Sequence, residues 1–313
     1  MGRRKGLAID GVLLLDKPRG ISSNAALQRV RRAYGAAKAG HTGTLDPMAQ
    51  GLLPIALGEA TKFSQFLLDA DKTYLAEIQL GAVTDTGDAE GQILARFEHH
   101  PTPDDVAMAC LRRLGPQMQT PPRYSALKHQ GRPLYEYARA GEDVVKAPRA
   151  VTIHQMDLLS CSPEGRVQVR VRCSKGTYIR VLAEEVGQDL GCGAYLAALT
   201  REATGPFRLA SAVALDVLVN QPAEEAMGRL QPVDAFVEHM PILRLSTAIS
   251  ARIRFGQTIL PSEWDGIVPA DAHWRLYDGD AFLGIGRTGL DGALAPIRLV
   301  STRQGGNKGR LEA

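Results

Sequence analysis

Residues 40–51, Gly40-His41-Thr42-Gly43-Thr44-Leu45-Asp46-Pro47-Met48-Ala49-Gln50-Gly51, set one carboxylate and one imidazole in a run punctuated by glycine. Pro47 pushes Asp46 toward an extended backbone, and the flanking glycines let the chain turn tightly and let a ligand approach closely. A lone carboxylate held in this way can act as a nucleophile or a base. Taken as a bare dipeptide, Asp46-Pro47 is also an ordinary way to start a turn.

Two other arrangements carry less. Gly284-Ile285-Gly286-Arg287-Thr288-Gly289 has dinucleotide-loop spacing, but Asp291-Gly292 follows where a phosphate-binding helix should begin, so a hairpin turn is expected. His99-His100 with Asp104-Asp105 could suggest a metal, yet the two acids fall in the first turn of a helix, where they favour its dipole. The four cysteines, Cys110, Cys161, Cys173 and Cys192, are widely spaced, without a paired motif or a histidine in metal spacing. Neither a disulfide framework nor a metal site is expected, and reduced thiols suit a cytoplasm.

The elements that must position the loop follow from periodicity. Val12–Leu15 is an apolar strand ending at the turn Asp16-Lys17-Pro18-Arg19-Gly20, after which Ser22 or Ser23 caps a helix with Ala26, Leu27 and Val30 on its apolar side. Gly58–Asp69 has helical spacing, Tyr74–Leu80 alternates as a strand, Ile93 and Leu94 mark another, and Thr102 caps a helix to about Leu114. Strands are predicted at Val151–Leu159 and Val167–Cys173, and helices at Tyr178–Leu190 and Tyr195–Arg201. In the second of these strands Arg166, Gln168, Arg170 and Arg172 share one face, a candidate for phosphate contact. The stretch from about 120 to 148, with Pro121, Pro122, Pro133, Pro148, Tyr124, Tyr135 and Tyr137, suits a mobile insertion, cleaved by protease when free.

The chain has 313 residues, enough for two domains: 1–240 with the insertion, then 241–303, joined by a polar helix around Asn220–Pro241. Short apolar runs and both tryptophans, Trp264 and Trp274, predict a small C-terminal β-barrel, and residues 304–313 are expected to be a disordered tail. The N-terminus lacks a secretory cleavage pattern, and no apolar run reaches about 18 residues, so a soluble protein without a membrane partner is expected.

The net charge of +3 hides a segmental pattern. Residues 1–62 carry ten Lys/Arg against four Asp/Glu and residues 120–180 eleven against five, while 63–119 and 181–313 are acidic. Two basic segments can fold into one positive cleft face, as a polyanion binder needs, with 63–119 and much of 181–240 facing away.

The motifs also carry a family resemblance. Gly40–Gly51, with Asp16-Lys17-Pro18-Arg19-Gly20-Ile21-Ser22-Ser23 before it and Lys72-Thr73-Tyr74 and Ser174-Lys175-Gly176-Thr177-Tyr178-Ile179-Arg180 after it, resembles the TruB family of tRNA pseudouridine-55 synthases. Order and approximate spacing match, the likeness spans residues 10 to about 303, and Leu283-Gly284-Ile285-Gly286 resembles the family's C-terminal RNA-binding (PUA-like) barrel more loosely. The fold this implies is α+β: a mixed, largely antiparallel sheet with flanking helices and a central cleft, then the barrel. The implied reaction isomerises uridine to pseudouridine in the T loop of tRNA, without a cofactor or metal.

By this resemblance Asp46 is the catalytic carboxylate, attacking C1′ or removing the 2′ proton, and Arg180 pairs with it. Tyr74 packs against the base and is a candidate acceptor of the C5 proton. Tyr178 and Leu199 line the uracil pocket, His41 fills the space left by the flipped nucleotide, and Lys17 and Asp88 support the site. An ordinary Asp, with a pKa of about 3.9, is ionised at neutral pH. The insertion corresponds to a thumb that grips RNA. The implied partner is the T arm of tRNA, with other T-loop-like stem-loops as further substrates and a monomer as the working form.

Two other classes of protein could use some of these residues. A non-catalytic RNA-binding or RNA-folding protein needs only basic segments and a barrel, and has no use for Asp46, Tyr74 and Arg180 together. A nucleoside or glycoside hydrolase usually wants a second carboxylate or a metal near the bond, and the Gly40–Gly51 run offers one.

Overall fold

A computed structural model describes residues 6–301, except 100, 126–127, 134–135, 138–139, 143, 145 and 265–268. The tail beyond 303, His100 and Tyr135 therefore lie outside the described residues, as does part of the 120–148 insertion.

In chain order the strands are β1 (Gly11–Lys17), β2 (Ala39–His41), β3 (Ala49–Leu57), β4 (Lys72–Leu80), β5 (Ala82–Thr84), β6 (Ile93–Arg96), β7 (Gly115–Gln119), β8 (Lys128–His129) and β9 (Arg132–Pro133). They continue with β10 (Arg149–Cys161), β11 (Arg166–Cys173), β12 (Ala194–Thr204), β13 (Phe207–Arg208), β14 (Val213–Ala214), β15 (Ile242–Leu245), β16 (His273–Asp278), β17 (Ala281–Thr288) and β18 (Leu294–Leu299). Among the described residues the main sheet runs β14-β1-β3-β12-β4-β11-β10-β7, with β2 on β3 and β13 on β12. It is mixed and largely antiparallel: only the β1–β14 and β3–β12 pairs are parallel.

Sequence pattern explains the layers. The run Val12–Leu15 is buried on both faces of β1, so it is continuously apolar, whereas β4 alternates buried and half-buried residues because helices cover one face. On that face Ala76, Ile78, Leu80, Val167, Val169 and Val171 pack with Val106 and Ala109 of the Pro103–Arg112 helix and Leu182, Ala183 and Val186 of the Ile179–Asp189 helix. The Thr102 cap with Asp105 forms a reciprocal capping box, which accounts for these acids as helix-start residues. At the other end of the sheet the Ser23–Ala33 helix buries Ala26, Leu27 and Val30; Ser22 is its cap, its hydroxyl accepting from the Ala25 amide at 3.1 Å.

Four expectations are corrected. Residues 195–201 belong to β12, not a helix: bulges between Leu196 and Ala198 and between Arg201 and Ala203 break the two-residue period and leave apolar spacings that mimic a helix. The 220–241 stretch is broken into Leu215–Asn220, Ala223–Gly228 and a short 3-10 turn at Ala235–Val237, with Pro222 and Pro232 between them, instead of one helix. The C-terminal part forms a four-stranded sheet, β15-β16-β17-β18, with no closed barrel among the described residues. Gly284 and Gly286 lie inside β17, and the turn into β18 comes later, at Gly289–Gly292. The Gly58–Asp69 segment does coil, as a 3-10 turn followed by the short helix Ser64–Leu68.

The second sheet packs against the first part of the chain. Phe282 lies 5.3 Å from Phe63 between ring centroids, and Lys62 donates to the Leu299 carbonyl at 2.9 Å. Asp234 accepts from Arg275 at 2.9 Å and from the Tyr277 hydroxyl at 2.5 Å.

Candidate active site

The residues between β2 and β3 carry Asp46, and hydrogen bonds from distant parts of the chain fix them. Ser23, almost fully buried, donates its hydroxyl to the Leu45 carbonyl at 2.9 Å and accepts from the Leu45 amide at 2.8 Å. The Gly20 amide donates to the Pro47 carbonyl at 2.7 Å, and the Ala49 amide to the Asp46 carbonyl at 3.1 Å. Gly51 holds φ +99°, and a Cβ there would stand 2.6 Å from the Arg201 carbonyl, so only glycine lets β3 approach β12 this closely.

Asp46 lies at a cavity of about 340 Å³ whose lining includes Tyr74, Tyr178, Arg180, Leu199 and Arg201. That volume is in the lower part of the roughly 300–1,000 Å³ range of small-molecule sites. Its Oδ2 is 3.0 Å from Nη2 of Arg180, whose side chain is 5% exposed against 39% for Asp46. Arg180 Nη1 faces Asp88 Oδ2 at 3.4 Å and donates to the Thr86 carbonyl at 3.1 Å, while Nη2 donates to the Tyr124 carbonyl at 2.6 Å. Asp88 is itself held, accepting from the Thr86 hydroxyl at 2.7 Å and the Glu90 amide at 3.1 Å. A cation between two carboxylates compensates charges whose burial would otherwise be costly.

Burial pushes the Asp46 carboxyl above its ordinary range; Arg180 pulls it back, Asp88 pushes it further up and Lys17 pulls it down. Asp46 therefore differs from the unperturbed aspartate that its sequence context implies. Lys17 is fully buried, donates to the carbonyls of Ile21 at 2.6 Å and Pro18 at 2.9 Å, and is lowered to about 8 by burial.

Tyr74 points from β4 into the covered face and is 9% exposed; burial raises its hydroxyl's pKa. Leu199 pairs with Ala49 on β3 and Ala76 on β4, which explains how a residue of apparent core type reaches the cavity. Tyr178 precedes the Ile179–Asp189 helix, and the buried Gln119 side chain holds its backbone from both sides, donating to its carbonyl at 3.1 Å and accepting from its amide at 2.7 Å. The Arg149 guanidinium lies 4.7 Å from the Tyr178 ring centroid and donates to the Gly176 carbonyl at 2.5 Å.

His41 is in β2 opposite Ile55 and does not line the cavity. Its Nδ1 is buried without a hydrogen-bond partner, and burial followed by the Arg201 charge lowers its pKa, favouring the neutral imidazole. Lys17 and Asp88 also stand behind the lining.

The segmental charge picture needs correction. Lys72 and Tyr74 from the acidic 63–119 segment, and Leu199 and Arg201 from 181–240, line the site because β4 and β12 are central strands, and Asp88 from 63–119 reaches it through Arg180. On β11 Arg166 faces Glu77, Arg170 faces Glu202 and Arg172 faces Asp71 at 3.5, 2.8 and 3.5 Å, so acids offset the arginines of that face. A larger cavity of about 960 Å³ lies between the two sheets, lined by Asp234, Arg275 and Tyr277, which bond to one another; none of the motif residues reaches it.

Sequence reasoning missed Arg201, Gln119 and Arg149, and gave Ser23 only a possible capping role. Arg201 follows Leu199 by two residues, so a strand reading of 194–204 would have put both on one face.

Comparison with known proteins gives a consistent result. The family model described as TruB family pseudouridylate synthase (N terminal domain) matches residues 31–179, and that described as Pseudouridine synthase II TruB, C-terminal matches residues 241–300. Proteins named tRNA pseudouridine synthase B are similar along nearly the whole chain. The one from Chromohalobacter salexigens is 52% identical, covering 96% of this chain and 97% of its own, and the one from Aromatoleum aromaticum is 51% identical, covering 96% of each. Among solved structures, an H/ACA RNP bound to a substrate RNA containing 2′-deoxyuridine is similar with a TM-score of 0.72 at 22% identity, covering 97% of this chain and 92% of that one. A Cbf5-Nop10-Gar1 complex gives 0.70 at 24% identity, covering 94% and 84%; both likenesses concern the fold. With the motif loop, the α+β sheet and two matched family regions in agreement, the chain belongs to the TruB family of pseudouridylate synthases.

Proposed function

We propose that this chain isomerises uridine to pseudouridine in tRNA, the activity in the names of its relatives, and that its target is uridine 55 in the T loop. One observation carries the reading: an Asp46 carboxylate clamped by a buried Arg180 at a nucleoside-sized cavity that Tyr74, Tyr178 and Leu199 also line. The reaction breaks C1′–N1, turns the uracil and joins C1′ to C5. The C5 proton leaves and N1 gains one, so no electrons are gained or lost and no cofactor is required.

Each side chain then has a role. A T-loop base is stacked within folded RNA, so it must be flipped out, at a few kcal/mol for lost stacking. His41 fills the vacated space; its neutral imidazole suits stacking among bases. Tyr178 and Leu199 enclose the uracil, and Asp46 acts on the sugar, as nucleophile at C1′ or base toward the 2′ proton. Arg180 orients the carboxylate, Asp88 and Lys17 hold the surrounding charges, and Tyr74 takes the C5 proton.

Residues 1–240 form the proposed catalytic unit and 241–303 the unit that helps hold the RNA, a division supported by the two matched regions. The basic residues of the 120–148 thumb grip the T arm, other T-loop-like stem-loops are further substrates, and a cytoplasmic monomer is the proposed working form. No described helix is long and apolar enough to cross a membrane. Incubating unmodified tRNA with the protein and digesting it to nucleosides tests the assignment. One pseudouridine per tRNA, lost when the T-loop uridine is replaced by cytidine, supports it; free uracil or unchanged tRNA overturns it.

A further inference from the structure

Arg201 is the largest fully buried side chain among the described residues, and the roles assigned above leave it unused. It stands on β12 directly across from Tyr74 on β4 and beside Gly51 on β3, so its neighbours on the two adjoining strands are a cavity residue and a glycine of the Asp46 run. Directly opposed residues hold their Cβ atoms roughly 4.5–5.5 Å apart on one face of the sheet. The guanidinium donates from Nε to the Leu52 carbonyl at 2.7 Å and from Nη2 to the Gly43 carbonyl at 3.1 Å. Gly43 sits at φ +82°, and a Cβ there would lie 3.3 Å from Nη1, so the turn leading to Asp46 is fitted around this cation. Arg201 also lines the cavity itself.

We propose that Arg201 is a positioning residue of the isomerisation, holding the Tyr74 oxygen and the Gly43 turn in one frame so that tyrosine and Asp46 meet the same nucleotide in fixed relation. A planar guanidinium suits this because it donates in several fixed directions at once, which an ammonium cannot. Its charge has a second consequence. Burial raises the Tyr74 hydroxyl's pKa, and the Arg201 charge is the principal influence pulling against that rise. The proton leaving C5 passes to the Tyr74 oxygen while N1 of the turned uracil takes one from solvent; a cation beside that oxygen favours its anionic, accepting form.

The inference rests on the activity proposed above, and wild-type turnover separates failure of the one from failure of the other. Arg201→Lys keeps the charge and loses the fork; Arg201→Met loses both. Folding is checked by thermal unfolding and RNA affinity by T-arm binding, and C5 tritium release is then followed in single turnovers at saturating enzyme. With RNA affinity preserved, release by Arg201→Lys is expected to fall by about 10²-fold, the lower end of what general acid–base groups contribute. With C5-deuterated uridine its isotope effect should be larger than that of the wild type. In a Tyr74→Phe background the same change should cost less than in the wild type, since part of its effect runs through the Tyr74 oxygen. If Arg201→Met fails to fold, Arg201→Lys carries the test. Release at the wild-type rate, a loss confined to RNA binding, or full additivity with Tyr74→Phe would overturn the proposal.

Discussion

Nη2 of Arg180 stands 3.0 Å from Oδ2 of Asp46, and the same guanidinium faces Asp88 at 3.4 Å. Burial makes Asp46 a weaker acid than a free aspartate, and Arg180 is the main influence restoring its ionisation. Removing the cation must therefore raise the Asp46 pKa. Arg180→Gln is expected to shift the acid limb of the pH–rate profile upward and to slow turnover at every pH. It should also cost about 3–5 kcal/mol in urea unfolding, since the buried carboxylate of Asp88 loses its cation. An unmoved acid limb would show that Arg180 does not govern the ionisation.

Asp88 acts on Asp46 with the opposite sign, as a nearby negative charge that raises its pKa. Asp88→Asn should move the acid limb downward. The rate loss should be smaller than for Arg180→Gln, because Arg180 keeps its bonds to the Thr86 and Tyr124 carbonyls. Profiles of the two variants recorded side by side check both directions.

Ser23 contributes no chemistry, yet both of its hydroxyl bonds go to the backbone next to Asp46. Ser23→Ala leaves a buried amide and carbonyl unpaired, at a cost of about 1–3 kcal/mol each. Chemical denaturation should show the loss, and turnover at saturating RNA should fall while RNA affinity holds.

Lys72 donates to the carbonyls of Leu68 at 2.7 Å and Ala70 at 2.6 Å, and burial lowers it to about 8 from 10.5. Holding its proton is costlier in the folded state than in the unfolded one. Below about pH 8 both states are protonated and the cost is present in full, and it is relieved as pH rises toward 10.5. Relative to Lys72→Met, the wild type should gain on the order of 1–3 kcal/mol across that window in urea titrations. A difference independent of pH would contradict the assignment.

Legibility in the sequence divides along physical lines. The apolar run of β1, the alternation in β4 and the Ser22 and Thr102 caps are local signals, and the elements form where they predict. The Tyr195–Arg201 error arose because two bulges are set by pairing with β4, which no local window contains. Among the described residues the predicted barrel is a four-stranded sheet without closure, because alternation specifies strands and not closure. At the site, the glycine-flanked Asp46 was conspicuous in the chain. The bond between Arg180 and the Tyr124 carbonyl, the Ser23 pin and the bond from Arg201 to the Gly43 carbonyl are tertiary facts with no local trace.

Asp46 is proposed to drive isomerisation at uridine, and C5-tritiated T-arm RNA tests this most directly. The wild type should release tritium to water and form pseudouridine in equal amounts, while Asp46→Asn binds the same RNA and releases none. Release by Asp46→Asn at the wild-type rate, or none from the wild type, would contradict the account.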